Sequence, residues 1–196
     1  MALPFSASAD RNKQAIGDAL SGYFEATDNV FEVGSGTGQH AVYFSQRFSN
    51  LQWQPTDRSE HIAPMTQRIA ESGLGNIAAP MVLDVAVECS IKEQYSLAYS
   101  ANTAHIMSLT EVASMFNLLS SLLKPNGYFA LYGPFSFAGK HTSDGNENFD
   151  AMLKQQSTSM GIRDKAELDG LAFEAGLDFH EQLNLPANNC VLVWRN

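Results

Sequence analysis

Short apolar runs alternate along this chain with stretches of helical periodicity, and the series closes on two runs separated only by Pro186-Ala187-Asn188-Asn189. The runs at 30–33, 51–56, 81–85, 97–101, 128–132, 179–185 and 190–194 are bounded by turn residues and predict strands. Between them, Ala41, Phe44, Ser45 and Phe48 recur at helical spacing, as do Ile62, Met65 and Ile69. Ser108 and Glu111 predict a capping box ahead of Val112, Met115, Phe116, Leu119 and Leu122, with Lys124-Pro125-Asn126-Gly127 ending that helix. A further helix is expected from about Asp164, with Leu168, Leu171, Ala172 and Ala175 on one stripe and Gly176 at its end. Such alternation predicts an α/β fold, a largely parallel sheet with helices on both faces. The four-residue link is too short for a parallel crossover, so the last two strands should form an antiparallel hairpin.

The first strand candidate runs directly into Gly34, Gly36 and Gly38. Doubly wound sheets bind ligands at the carboxyl ends of their strands, and glycine there permits positive φ and close approach of a ligand to the backbone. A dinucleotide loop would want its third glycine at position 39, where Gln39 stands. The run from Glu32 to Gly38 instead resembles the acidic-x-G-x-G-x-G signature of class I S-adenosylmethionine-dependent methyltransferases. The resemblance implies that this loop holds the methionine and ribose portions of S-adenosylmethionine, which leaves as S-adenosylhomocysteine. That ligand has no phosphate and carries two cationic groups, which suits Glu32 and an acidic chain. Asp57 ends the second strand candidate, where a carboxylate can accept both ribose hydroxyls, a placement shared with NAD enzymes. Asp84, with Val85 alongside, stands where such methyltransferases commonly meet the adenine amino group, or else begins a loop.

A closer resemblance covers nearly the whole chain. The segments ADRNKQAI, FEVGSGTGQHAVYFSQ, WQPTD, LDV, LKPNGYFALYGPF and LPANNCVLVWR resemble a methyltransferase-like family of unknown function found mainly in bacteria, with metazoan relatives. It implies the Rossmann-like, seven-stranded class I methyltransferase fold and S-adenosylmethionine binding, but no acceptor. Two departures stand out: Asn102-Thr103-Ala104-His105 replaces the family's Asn-Met-hydrophobic-His pattern, and Ala15 stands where proline is usual.

Methyl transfer is an in-line displacement that positioning can accelerate, so a base is needed only when the acceptor must lose a proton. His105 is the best placed of five histidines to take one, and a structural role in its loop is equally open. Asn102 could hold either the cofactor's amino group or the substrate. His40 is expected to cap or pack beside the cofactor, and His61, His141 and His180 to lie on the surface. Arg11, Asn12 and Lys13 would set donors over the cleft, suited to an acidic small molecule, or else form a solvated helix face. The non-periodic stretch 133–150 predicts a substrate lid, to which Tyr132 and Asn148 could contribute. Phe135, Phe137 and Phe149 there could equally be core anchors.

Length and composition bound the rest. The 196 residues, 44% of them hydrophobic, fit one domain over residues 1–196 that buries a core without metals or disulfides. The absence of an apolar run near the roughly 20 residues of a membrane span, and of a signal peptide, leads us to expect a cytoplasmic protein. Cys89 and Cys190 are expected to be buried apolar residues, outside any metal-ligand spacing. A net charge of −9 with no basic cluster argues against nucleic acid as a partner. The expectation is a methyltransferase for a small molecule, with a catalytically silent cofactor-binding module as the alternative and a nicotinamide oxidoreductase as a weak third.

Overall fold

The computed structural model of the chain describes residues 3–87 and 90–196. In chain order its strands are β1 (Asn29–Val33), β2 (Gln52–Asp57), β3 (Met81–Val82), β4 (Tyr95–Ala101), β5 (Leu123–Gly133), β6 (Phe135–Ser136), β7 (Arg163–Asp164), β8 (Asp178–Leu185) and β9 (Asn189–Arg195). The helices are α1 (Ala7–Ala19), α2 (Ser21–Ala26), α3 (Gln39–Arg47), α4 (Ser59–Ser72), α5 (Leu109–Leu122), α6 (Asp144–Gln156) and α7 (Lys165–Glu174). Seven strands form one sheet in the order β3-β2-β1-β4-β5-β9-β8. The first five run parallel, while β9 is antiparallel to both β5 and β8. Ala187 and Asn188, both left-handed at φ 61° and 57°, turn the closing hairpin. Two successive left-handed residues match the right-handed twist of the strands they join.

Side chains alternate across the sheet and feed two cores. Val30, Leu97, Tyr99, Ala130 and Val193 pack with Ile16 of α1, Phe24 of α2 and Phe44 of α3 on one face. Phe31, Ala98, Phe129, Leu131 and Trp194 meet Phe116 of α5 and Leu168 of α7 on the other. The expected capping box is present: Ser108 accepts from the Glu111 amide at 3.2 Å, and the Glu111 carboxylate accepts from the Ser108 amide at 2.7 Å. Cys190 is buried, and Cys89 lies outside the described residues. Among the described residues no helix is long and apolar enough to cross a membrane.

Three local expectations need correction. The strand expected over 81–85 stops at Val82, because the Asp84 carboxylate accepts from the Ala86 amide at 3.0 Å and turns the chain. The segment Lys124–Gly127 lies within β5 rather than in a loop after α5. The stretch 133–150 is not one long loop: β6 pairs with β7, and α6 starts after Ser143, which accepts from the Asn146 amide. Phe135 is buried in the core, with Phe137 packed against it.

Candidate functional site

The carboxyl ends of β1, β2 and β4 converge on the glycine loop. The amides of Gly34 and Ser35 donate to the Thr56 carbonyl at 3.0 and 2.9 Å, and the Gly38 amide donates to the Ser35 carbonyl at 2.9 Å. The Gly36 amide donates to Asp57 Oδ2 at 2.6 Å. All four amides are therefore committed to the protein, whereas a pyrophosphate-binding loop would present them to its ligand. The three glycines differ in use. A Cβ at Gly34 would lie 2.5 Å from Thr103 Cγ2, and one at Gly38 would lie 3.0 Å from Met65 Cγ. Added to Gly36 it would meet nothing within 4 Å. Gly34 and Gly38 permit packing, and Gly36 alone opens onto space.

That space is a cavity of about 250 Å³ lined by Gly34, Gly36, Asp57, Asp84, Val85 and Asn102, among others. Asp57 uses one oxygen for Gly36 and the other for the Arg58 amide at 2.7 Å, and each keeps further acceptor capacity. Arg58 reaches across to Asp84 at 3.6 Å and donates to Glu111 at 2.8 Å, so its charge is already paired. With Asp57, Glu60 and Asp84 along its lining, the cavity suits a cationic nucleoside that lacks phosphate.

Asn102 also lines a second cavity of about 350 Å³, together with Arg11, Asn12, Tyr132, Pro186 and Asn189. Its backbone is left-handed at φ 59°, and its amide donates to the Tyr132 carbonyl at 2.9 Å. The other wall is α1, and two residues of α3 hold it there. The Gln39 side chain accepts from the Ser6 amide at 2.6 Å and donates to the Ser6 carbonyl at 3.2 Å. His40 Nε2 meets Asn12 Oδ1 at 2.7 Å, while its Nδ1 faces the buried Tyr99 hydroxyl at 3.2 Å. Burial pushes the His40 imidazole down to about 4. The residue that breaks a dinucleotide motif thus fastens the segment that covers the second cavity.

Several expected residues stand elsewhere. Glu32 is buried behind the loop, where one carboxylate oxygen accepts from Ser35 Oγ at 2.7 Å and Trp53 Nε1 at 2.8 Å. Desolvation drives its carboxyl up to about 7, against those bonds and with help from Asp57. Gly38 and Glu32 support the loop without lining either cavity. His105 lines neither cavity: its ring is buried against Phe149 of α6, 5.2 Å between centroids. Burial, then the Arg163 charge, holds His105 down at about 4. Asn148 is exposed on α6, outside both linings. His61 is exposed at the rim of the nucleoside-sized cavity, and Thr103, Leu83 and the Pro186–Asn189 wall are lining residues that sequence reasoning missed. A larger cavity of about 480 Å³, lined by Tyr23, Lys124, Tyr128 and His180, sits at the opposite end of the sheet. Ligands of open α/β sheets bind at the carboxyl ends, which favours the smaller pair that share Asn102.

Five parallel strands, a closing antiparallel hairpin and an acidic glycine loop define the class I S-adenosylmethionine-dependent methyltransferase architecture. Solved structures share it. An O-methyltransferase family protein from Burkholderia thailandensis superposes with TM-score 0.82 at 15% identity, over 96% of this chain and 57% of that one. Human N-acetylserotonin methyltransferase, solved with S-adenosylmethionine, gives 0.79 at 14% identity over 96% and 52%. A methyltransferase of calicheamicin biosynthesis, solved with S-adenosylhomocysteine, gives 0.77 at 17% over 95% and 54%. The chain spans little more than half the length of these proteins. The family model described as protein of unknown function (DUF938) matches residues 3–196, and the chain belongs to that family.

Proposed function

We propose that this chain is an S-adenosylmethionine-dependent methyltransferase acting on a small molecule. The cofactor would lie across Gly36, Asp57, Asp84 and Val85, and the methyl acceptor in the cavity beyond Asn102. The observation that carries the reading is the meeting of these two cavities at one residue, with the open Gly36 and the acidic Asp57 on one side and the donors of α1 on the other. The ligands in the human and calicheamicin-pathway structures support it by likeness of fold.

When bound, S-adenosylmethionine supplies a methyl group already activated by its sulfonium. The chain's own residues then orient: Asp57 would accept from the ribose hydroxyls, Asp84 and Val85 would flank the adenine, and Asn102 would align the acceptor's approach. Among the described residues lining the second cavity there is no imidazole or carboxylate. The site therefore suits an acceptor atom whose lone pair is available without a protein base.

Calorimetric titration tests the reading. S-adenosylhomocysteine should bind once per chain, and NAD should give no heat. Asp57→Ala should weaken the former by about 1.5–3 kcal/mol, the usual worth of a hydrogen bond to a charged group. Binding of NAD alone, or affinity indifferent to Asp57, would refute it. Release of S-adenosylhomocysteine from S-adenosylmethionine in a metabolite mixture reads turnover, and binding without turnover in any mixture would favour the silent module.

A further inference from the structure

The second cavity has a definite polarity. Its one cationic lining residue is Arg11, which enters no ion pair among the described residues. Behind it runs a chain of polar groups, the half-buried Asn12 and the buried His40 and Tyr99, whose direction follows from bonding rules. Oδ1 of Asn12 can only accept, so His40 Nε2, 2.7 Å away, must carry the proton. With the imidazole neutral, Nδ1 is an acceptor and the Tyr99 hydroxyl, 3.2 Å away, donates to it. The Asn12 carbonyl oxygen is thus turned inward, and its amide group is left for the cavity side.

Tyr132 is the next group along. Its side chain is almost wholly buried and lines the cavity. Burial raises its phenol above the ordinary value, opposed by hydrogen bonds from the Asn12 and Asn189 amides and by the nearby Arg11 charge. The Tyr132 phenol lines the cavity together with Arg11, Asn12 and Asn189. Guanidinium and phenol therefore both present donors, with no lining carboxylate to answer them. One unpaired cation matches a ligand of one negative charge, and its planar fork matches a carboxylate.

Resting on the assignment of this cavity to the methyl acceptor, we infer that the acceptor is a small monocarboxylate, anchored through its carboxylate by the Arg11 guanidinium and the Tyr132 hydroxyl. Pro186 on the β8–β9 turn and Asn189 at the start of β9 form the wall that limits its size.

The test uses the whole chain, isotopically labelled, with and without saturating S-adenosylhomocysteine. Matched pairs of carboxylate and primary amide, benzoate with benzamide and pentanoate with pentanamide, are titrated while the side-chain amide signals of Asn12, Asn102 and Asn189 are followed. At least one carboxylate should bind saturably and about tenfold or more tighter than its amide, as loss of a charge-assisted bond requires. Arg11→Gln should abolish that preference, and Tyr132→Phe should reduce it several-fold. Lys154→Gln, on α6 outside both cavities and paired with Asp150, should leave it unchanged. Unfolding midpoints verify that each variant is folded. Equal binding of both members of every pair, no saturable carboxylate binding, or a preference that survives Arg11→Gln would overturn the inference. Calorimetry of S-adenosylhomocysteine on the same samples separates that failure from a failure of the cofactor assignment.

Discussion

Replacing Gly36 and Gly34 in turn by alanine separates the two uses of the glycine loop. Both are left-handed, at φ 55° and 74°. That conformation costs an L residue roughly 1–2 kcal/mol. At Gly36 nothing lies within 4 Å of the added methyl, so strain should be the whole loss of stability. At Gly34 the methyl would also sit 2.5 Å from Thr103 Cγ2. Overpacking of that kind adds about 1–3 kcal/mol, for a total of roughly 2–5 kcal/mol. Thr103→Ser removes the clashing carbon but keeps the hydroxyl, which lies 2.7 Å from Ser100 Oγ, so the Gly34→Ala/Thr103→Ser pair should recover the overpacking share. Cofactor binding should follow the opposite order. Gly36→Ala sets a methyl in the cavity of about 250 Å³ and should weaken S-adenosylhomocysteine about tenfold or more, far beyond the effect in the rescued double variant. Urea unfolding and calorimetry measure the two effects. Wild-type affinity in Gly36→Ala, or a double variant no more stable than Gly34→Ala, would refute the division of roles.

Further outcomes follow from the buried titratable groups. The Glu32 carboxyl, held near 7 instead of 4.5, binds its proton more tightly in the folded chain. It therefore costs no stability below about pH 4.5 and destabilises increasingly as pH rises through 7, by up to about 3 kcal/mol. Glu32→Gln keeps an acceptor for Ser35 and Trp53 and should flatten unfolding free energy between pH 5 and 8, which parallel curves for both proteins would disprove. His105→Leu should retain turnover, since the ring lies outside both cavities, whereas a loss near the hundredfold that general bases supply would restore it to the chemistry. Gln39→Ala should loosen α1 and raise hydrogen exchange at Ser6 while sparing the sheet, and unchanged exchange there would remove Gln39 as its fastener.

The order of elements was legible because each strand and helix declares itself locally. Val30 and Phe31 feed opposite faces, Ser108 and Glu111 cap α5, and the four-residue link permits only an antiparallel turn. Gly34, Gly36, Asp57, Asp84, Val85 and Asn102 line one cavity because the fold brings strand ends to one edge, and it was the resemblance to methyltransferases, with their places after strand candidates, that singled them out in the sequence. What stayed hidden was non-local. In α6 only Asp150 and Leu153 are buried, too few to show a period, so the helix that carries Phe149 onto His105 could not be seen. Arg11, Asn12 and Tyr132 line one cavity, but its far wall is the β8–β9 turn and the start of β9, whose residues carry no chemical signature. Gly38 shares a motif with Gly36, yet its bare Cα serves Met65 rather than a ligand, a distinction that only packing reveals.

A crystal structure of the chain with S-adenosylhomocysteine bears most directly on the site. The account predicts ribose hydroxyls within hydrogen-bond distance of Asp57, adenine beside Asp84 and Val85, and the homocysteine sulfur facing Asn102. Ligand density in the cavity between Tyr23 and Tyr128 at the other end of the sheet, or none between Gly36 and Asp57 at saturating ligand, would contradict it.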